Sequence, residues 1–300
     1  MKKNSLVGNL MLLTAAVIWG LAFVAQSVGV NRMAPMTFQF CRSFTAVLTL
    51  IPIILIGDRK KQDGKTFFTR FRNKRLLLGG LLCGLGMFLG NAFQQVGLVY
   101  TSPGKSGFIT AMYIVLVPLL GLFLHQKLQG KVWLSVGLAV LGLYFLSISG
   151  TAAINIGDVL TLGCALFFAV QITCIDRVSP HVDCLRLSFL QTLVTCVLSF
   201  FSMLLFEGLD FSAVPNCVVP ILYTGVLSMG IAYTLQITGQ KKASNVALAS
   251  LILSLESVFS ALFGWLILKS ALSPRELLGC GLVFAAIVLA QLPSRKAAVV

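Results

Sequence analysis

The deepest carboxylate in this sequence is Glu256, about eleven residues into an apolar run spanning 245–268 and hence about 16 Å along a helix axis. A charge at such depth in hydrocarbon is expensive and therefore marks function by default. Two roles fit, a protonatable coupling group or a counter-charge for a cation; capping a helix–helix hydrogen-bond network is the structural alternative. Arg42 lies about seven residues into the run 34–56. It could draw in an anionic group, snorkel to the interface or close an intramembrane ion pair. Arg186, two or three residues into the run 184–206, is placed to snorkel.

On the runs that the family resemblance given below implies as cavity walls, the amides and amphipathic rings near mid-depth are Trp19, Asn91, Gln94, Gln95, Tyr113, Gln171, Tyr233 and Gln236. A few such groups in a dry cavity can bind a zwitterion or a mixed polar and apolar solute. Asn91, Tyr113, Tyr233 and Gln236 stand out because they recur at related positions of the two halves. Other chemistry is poorly provided for. His125 and His181 are far apart, no metal-ligand spacing or CxxC pair occurs, and no phosphate-binding loop is present. Six of the eight cysteines (Cys41, Cys83, Cys164, Cys174, Cys196 and Cys280) sit inside apolar runs as small hydrophobes. The sequence thus gives no catalytic residue, metal site or cofactor.

The elements that must position these groups follow from composition. The 300 residues are 57% hydrophobic and 11% charged, with mean hydropathy +0.94, too little polar surface to clothe a water-soluble globule. Runs long enough to cross about 30 Å of hydrocarbon fall at 6–26, 34–56, 76–98, 105–125, 131–149, 158–175, 184–206, 218–239, 245–268 and 276–292. The expectation is an all-α integral membrane protein of ten spans. The first run is too long for a signal-peptide core and no A-x-A site follows it, so it counts as a span.

The net charge of +14 describes topology and not a nucleic-acid groove. Lys2, Lys3, the block from Arg59 to Arg75, Lys127, Lys131, Arg177, Lys241, Lys242, Arg295 and Lys296 fall on one side. Only Arg32, Lys105, Lys269 and Arg275 fall on the other, so both termini are expected in the cytoplasm. The basic loop 57–75, with Phe67, Phe68 and Phe71, fixes that topology and could also rest on anionic lipid. Glycines of span three (Gly79, Gly80, Gly84, Gly86, Gly90) permit close helix approach, and Pro52 and Pro118 are expected to bend spans two and four.

The chain also repeats itself. Segment 105–146 aligns on 249–290 at an offset of 144 residues, pairing Ser106 with Ser250, Leu124 with Leu268 and Gly137 with Gly281; Arg42 and Arg186 pair at the same offset. An odd number of spans per half forces the second half to enter from the opposite face. The expected organisation is therefore two inverted five-helix repeats, 1–150 and 151–300, a plan that recurs in transporters. The stretches "NLMLLTAAVIWGLAFV", "PMTFQFCRSFTAVLTLIPI", "NAFQQVGLVYTSPGKSGFITAMYIVLVPLL" and "AYTLQITGQKKASNVALASLILSLESVFSALFGWLILKSALSPRELLGCGLVFAAIVL" resemble the ten-helix EamA-type branch of the drug/metabolite transporter superfamily. That family typically shows leucine-glutamate-proline in span nine and glycine-glutamate at its outer end; here the positions read Leu255-Glu256-Ser257 and Lys269-Ser270.

The resemblance implies a cavity lined by spans one, three, four, six, eight and nine. It also implies a secondary transporter in the cytoplasmic membrane, exporting amino acids or related metabolites, whose partners are a small-molecule substrate and the bilayer. Either a monomer or a homodimer is compatible with it. An integral-membrane lipid-modifying enzyme and a membrane sensor are the alternatives; the first wants a cluster of acid or histidine residues near an interface, the second a larger cytoplasmic domain.

Overall fold

The computed structural model describes residues 2–59, 67–123, 130–147, 155–268 and 273–292. Within them the chain is helical, with no strand among the described residues. The elements are α1 (Lys2–Val30), α2 (Pro35–Arg59), α3 (Lys74–Tyr100), α4 (Pro103–Thr110), α5 (Tyr113–Phe123), α6 (Gly130–Ser147), α7 (Ile156–Val178), α8 (Cys184–Phe206), α9 (Val218–Leu222), α10 (Tyr233–Lys242), α11 (Val246–Leu253), α12 (Leu255–Leu268) and α13 (Pro274–Gln291). A widened π-helical stretch, Tyr223–Ala232, joins α9 to α10. Eight segments are long and apolar enough to cross a membrane, with Gly130–Phe145 and Leu277–Ala290 as shorter apolar helices.

Helix ends extend beyond several apolar runs because polar caps, and not hydrocarbon depth, terminate them. Asn73 accepts from the Arg75 and Leu76 amides ahead of α3. At the start of α7, Asn155 and Asp158 form a reciprocal capping box. The first helix runs on to Val30, four residues past the end of its apolar run.

Two spans are broken. α4 is capped by Ser102, runs eight residues and stops at Ala111 (ψ −9°). α11 is capped by Asn245, runs eight residues and stops at Ser254 (ψ −12°). The break in the fourth span precedes Pro118, which sits inside α5, so the proline is not its cause; Pro52 likewise lies within a continuous α2. α4 packs on α12 and α5 on α11, so the two broken spans run antiparallel with their breaks side by side.

α3 holds the centre through small residues. An added Cβ on Gly79, Gly86, Gly90 or Gly97 would meet Val178, Gln171, Phe168 and Thr161 of the antiparallel α7, and one on Gly80 or Gly84 would meet Leu190 and Val194 of α8. Between helices in lipid, such van der Waals closeness is a principal source of association. α2 and α8 are clasped at both ends. Glu207 accepts from the Met36 and Thr37 amides at 2.8 Å each, an anion on a helix N-terminus, while Asp58 at the other end of α2 pairs with Arg186. Arg186 does not snorkel: it is 3% exposed and also bonds Asp183 at 2.9 Å. Of the basic loop, Phe67 and Phe71 pack against Phe189, leaving Phe68 exposed; residues 60–66, with Lys60, Lys61 and Lys65, lie outside the described residues, as do His125, Lys127 and Lys269.

Candidate central cavity

α1, α2, α3, α5, α7, α10, α12 and the π stretch surround a partly open cavity of about 30 Å³, wide enough for water. Trp19, Arg42, Asn91, Gln94, Tyr113, Gln171, Tyr233, Gln236 and Glu256 all line it. Residues spread over 238 positions of sequence thus converge on a single space. Span two, through Arg42, adds to the walls that the family resemblance implies.

Each side chain is placed by its helix. Arg42 is 1% exposed, so it does not snorkel, and it forms no ion pair among the described residues. Its Nε donates to Gln39 Oε1 at 2.8 Å, Nη1 to Gln26 Oε1 at 2.6 Å, and Nη2 to Asn91 Oδ1 at 2.9 Å and also to Gln39 Oε1. Gln39 is one turn before Arg42 on α2, which lets one amide oxygen fork the guanidinium from the same helix. Asn91 donates in turn to Met87 O (2.8 Å) and Tyr233 Oη (3.3 Å), and the Tyr233 ring lies 4.9 Å from that of Trp19. Trp19 Nε1 donates to the Ser228 carbonyl at 3.4 Å. That carbonyl belongs to the π stretch, a rare helical form that frequently marks functional sites.

On the opposite wall, Gln236 Nε2 donates to Gln171 Oε1 (3.4 Å) and Gln171 Nε2 to Gln191 Oε1 (3.2 Å). Gln94 Nε2 reaches Thr110 Oγ1 at 3.3 Å, on the last residue of α4. The two helix breaks point their first residues inward: Tyr113 opens α5 and Glu256 is in the first turn of α12, where the helix N-terminus favours an anion. The Tyr113 hydroxyl faces the Glu256 carboxylate. Glu256 is 5% exposed, and its Oε1 has no hydrogen-bond partner among the described residues.

Ala22, Phe23, Gln26, Phe168, Ile172 and Ser228 also line the space. Gln26 falls at the end of the apolar run of span one; only the further turn of α1 to Val30 puts it at depth. Ser228 lines the space, and its carbonyl also accepts from Trp19 Nε1; no side-chain pattern in the sequence signals that carbonyl contact. Gln95, although at similar depth, is buried outside the cavity, and neither of its amide atoms has a hydrogen-bond partner among the described residues.

A multi-pass helical bundle enclosing a polar chamber at membrane depth defines the transporter class. The chain belongs to the EamA-like transporter family, whose pattern matches residues 6–148 and again 155–292. It is 32% identical over 290 residues to an uncharacterized transporter of Archaeoglobus fulgidus, covering 96% of this chain and 86% of that one. It is 26% identical over 288 residues to the uncharacterized transporter YoaV of Bacillus subtilis, covering 91% and 92%. A crystal structure with 19% sequence identity superposes with a TM-score of 0.78 over 97% of both chains, a likeness of fold.

Proposed function

We propose that this membrane transporter is a secondary carrier that exports amino acids or related small metabolites across the cytoplasmic membrane by alternating access, with both termini in the cytoplasm. The observation that carries the proposal is the cavity itself. One narrow chamber, walled by both halves of the chain, gathers a guanidinium, a carboxyl group, amides and aromatic rings. A chamber of about 30 Å³ is far smaller than such solutes, so the arrangement described is contracted and the walls must part for cargo to enter.

Packing supports ten spans in two inverted repeats. α3 lies on α7 as α1 lies on α10, α2 on α8, α4 and α5 on α12 and α11, and α6 on α13, a set that maps onto itself when the halves are exchanged. The capped half-helices correspond at an offset of 143 residues and the 18-residue helices α6 and α13 at 144. Rocking one bundle against the other about such a site is the usual form of alternating access. In this reading Trp19, Asn91, Gln94, Tyr113, Gln171, Tyr233 and Gln236 contact cargo, and Glu256 and Arg42 are the intramembrane charges.

Purified protein in liposomes, tested for counterflow with a panel of amino acids and metabolites at two pH values, tests this. Saturable, cargo-specific exchange is expected. Chemical conversion of a solute without flux would favour an enzyme instead. Glu256→Gln is expected to slow exchange and flatten its pH dependence, since a protonated Glu256 offers no charge; an unchanged rate and profile would remove Glu256 from the mechanism. Cysteine labelling is expected to place Gly157 and the 57–75 loop in opposite compartments.

A further inference from the structure

The guanidinium and the carboxyl group of the cavity are both buried, both line its wall, and neither has an oppositely charged partner among the described residues. Four of the five N–H bonds of Arg42 end on amide oxygens of Gln39, Gln26 and Asn91, all uncharged, and no carboxylate among the described residues pairs with it. Glu256 has Tyr113 as its polar neighbour and an Oε1 atom with no partner among the described residues. Elsewhere in the chain buried charge is matched by opposite charge, as in Arg186 with Asp58 and Asp183, or Asp158 with Lys105 at 2.6 Å. Uncompensated buried charge is strongly unfavourable. Here two ionisable groups of opposite kind without such partners face one chamber from separate helices, with Trp19, Phe23, Phe168 and Tyr233 also lining the space.

Resting on the transport reading above, we infer that the cavity is a two-pole site for a small zwitterion, with Arg42 reading its carboxylate and Glu256 its ammonium group. A single solute bearing both charges neutralises both walls at once. An anion leaves Glu256 unmatched, a cation leaves Arg42 unmatched, and a neutral solute leaves both. The Gln26, Gln39 and Asn91 cradle has a positioning role. It fixes the plane of the guanidinium with neutral acceptors, so the net positive charge stays available while one Nη1 N–H remains unused. The aromatic walls suit an uncharged side chain. A second cationic or anionic group on the cargo would find no counter-charge among the described lining residues.

The test uses wild-type protein in liposomes preloaded with a mixture of the twenty amino acids, read by counterflow of each labelled member. The members that exchange are then compared with their N-acetyl derivatives, which lack the ammonium, and their methyl esters, which lack the carboxylate. The expected result is rejection of both derivatives by about 100-fold, since a site built for a charged group is left with that partner unpaired. Arg42→Gln is expected to bring the methyl ester to within about threefold of its parent while still rejecting the N-acetyl form, and Glu256→Gln to do the converse. Equal exchange of parent and derivatives by wild type overturns the two-pole site without need of any variant, and leaves the transport reading standing. So does exchange confined to a non-zwitterionic metabolite, or an Arg42→Gln protein that still rejects the ester. Absence of exchange for every amino acid and metabolite would overturn the transport reading itself and this one with it.

Discussion

Two arginines 144 residues apart, at matching places in the two halves, have the same burial and opposite company. Arg186 is 3% exposed, lies 5.7 Å from the centre of the Phe71 ring and is held by Asp58 and Asp183, with Arg70 Nε a further 3.6 Å from Asp58. Arg42 is 1% exposed, lies 5.9 Å from the centre of the Phe38 ring and is held by three neutral amides. The first is neutralised where it stands and ties α2, α8 and the 67–73 segment together at one end of the bundle. The second keeps its charge in a chamber. A buried cation that brings its own anions is architecture; one whose sequence neighbourhood withholds them is poised for a ligand.

Exchanging the two outcomes by mutation breaks or sharpens the contrast. The largest effect is expected from Arg42→Gln, which should lower amino-acid counterflow on the order of 100-fold while shifting the thermal midpoint little, because no carboxylate is stranded. Arg186→Gln should do the reverse. Flux into liposomes should stay within about threefold of wild type, and denaturant titration in detergent should show a loss of about 2 kcal/mol, since Asp58 and Asp183 lose the Arg186 guanidinium while remaining partly hydrated.

The cradle comes next. Gln39→Leu removes the acceptor that forks Arg42 and should raise the half-saturation concentration about tenfold with a smaller change in maximal rate, a split that steady-state flux measurements resolve. Smaller still is Glu207→Gln, which keeps the shape but removes the anion at the α2 N-terminus. A stability loss of about 1 kcal/mol is expected with exchange unaltered. A transport defect in that variant would show that the clasp of α2 on α8 takes part in rocking.

The cavity was more legible than the helices around it. In a sequence whose apolar runs mark depth, a polar group far from both ends of a run stands out, and depth together with the spans that the family resemblance implies singles out seven of the lining residues, along with Gln95, which lies outside the cavity; Arg42 and Glu256 stand out as charges, and depth does not say that they share that space. The breaks in the fourth and ninth spans gave no such signal. Neither Ala111 nor Ser254 is a helix breaker, and Pro118 drew attention to a position where the helix continues. The π stretch Tyr223–Ala232 has ordinary apolar composition, so the exposure of the Ser228 carbonyl to Trp19 depends on packing with α1 and α2 and not on local propensity. The direction of an arginine side chain was equally hidden. Arg42 and Arg186 could each have reached the interface, and the acceptors that turned them inward come from residues up to 128 positions away.

The central claim, that this chamber opens in turn to each side of the membrane and holds the cargo meanwhile, is tested most directly at Ser228, which lines it and is 4% exposed. A Ser228→Cys protein in a background lacking the eight native cysteines would be reconstituted and treated with an impermeant thiol reagent from either side. The account predicts labelling from both sides and protection from both by the amino acid that exchanges in counterflow. Labelling from one side only, unaffected by any transported solute, would contradict it.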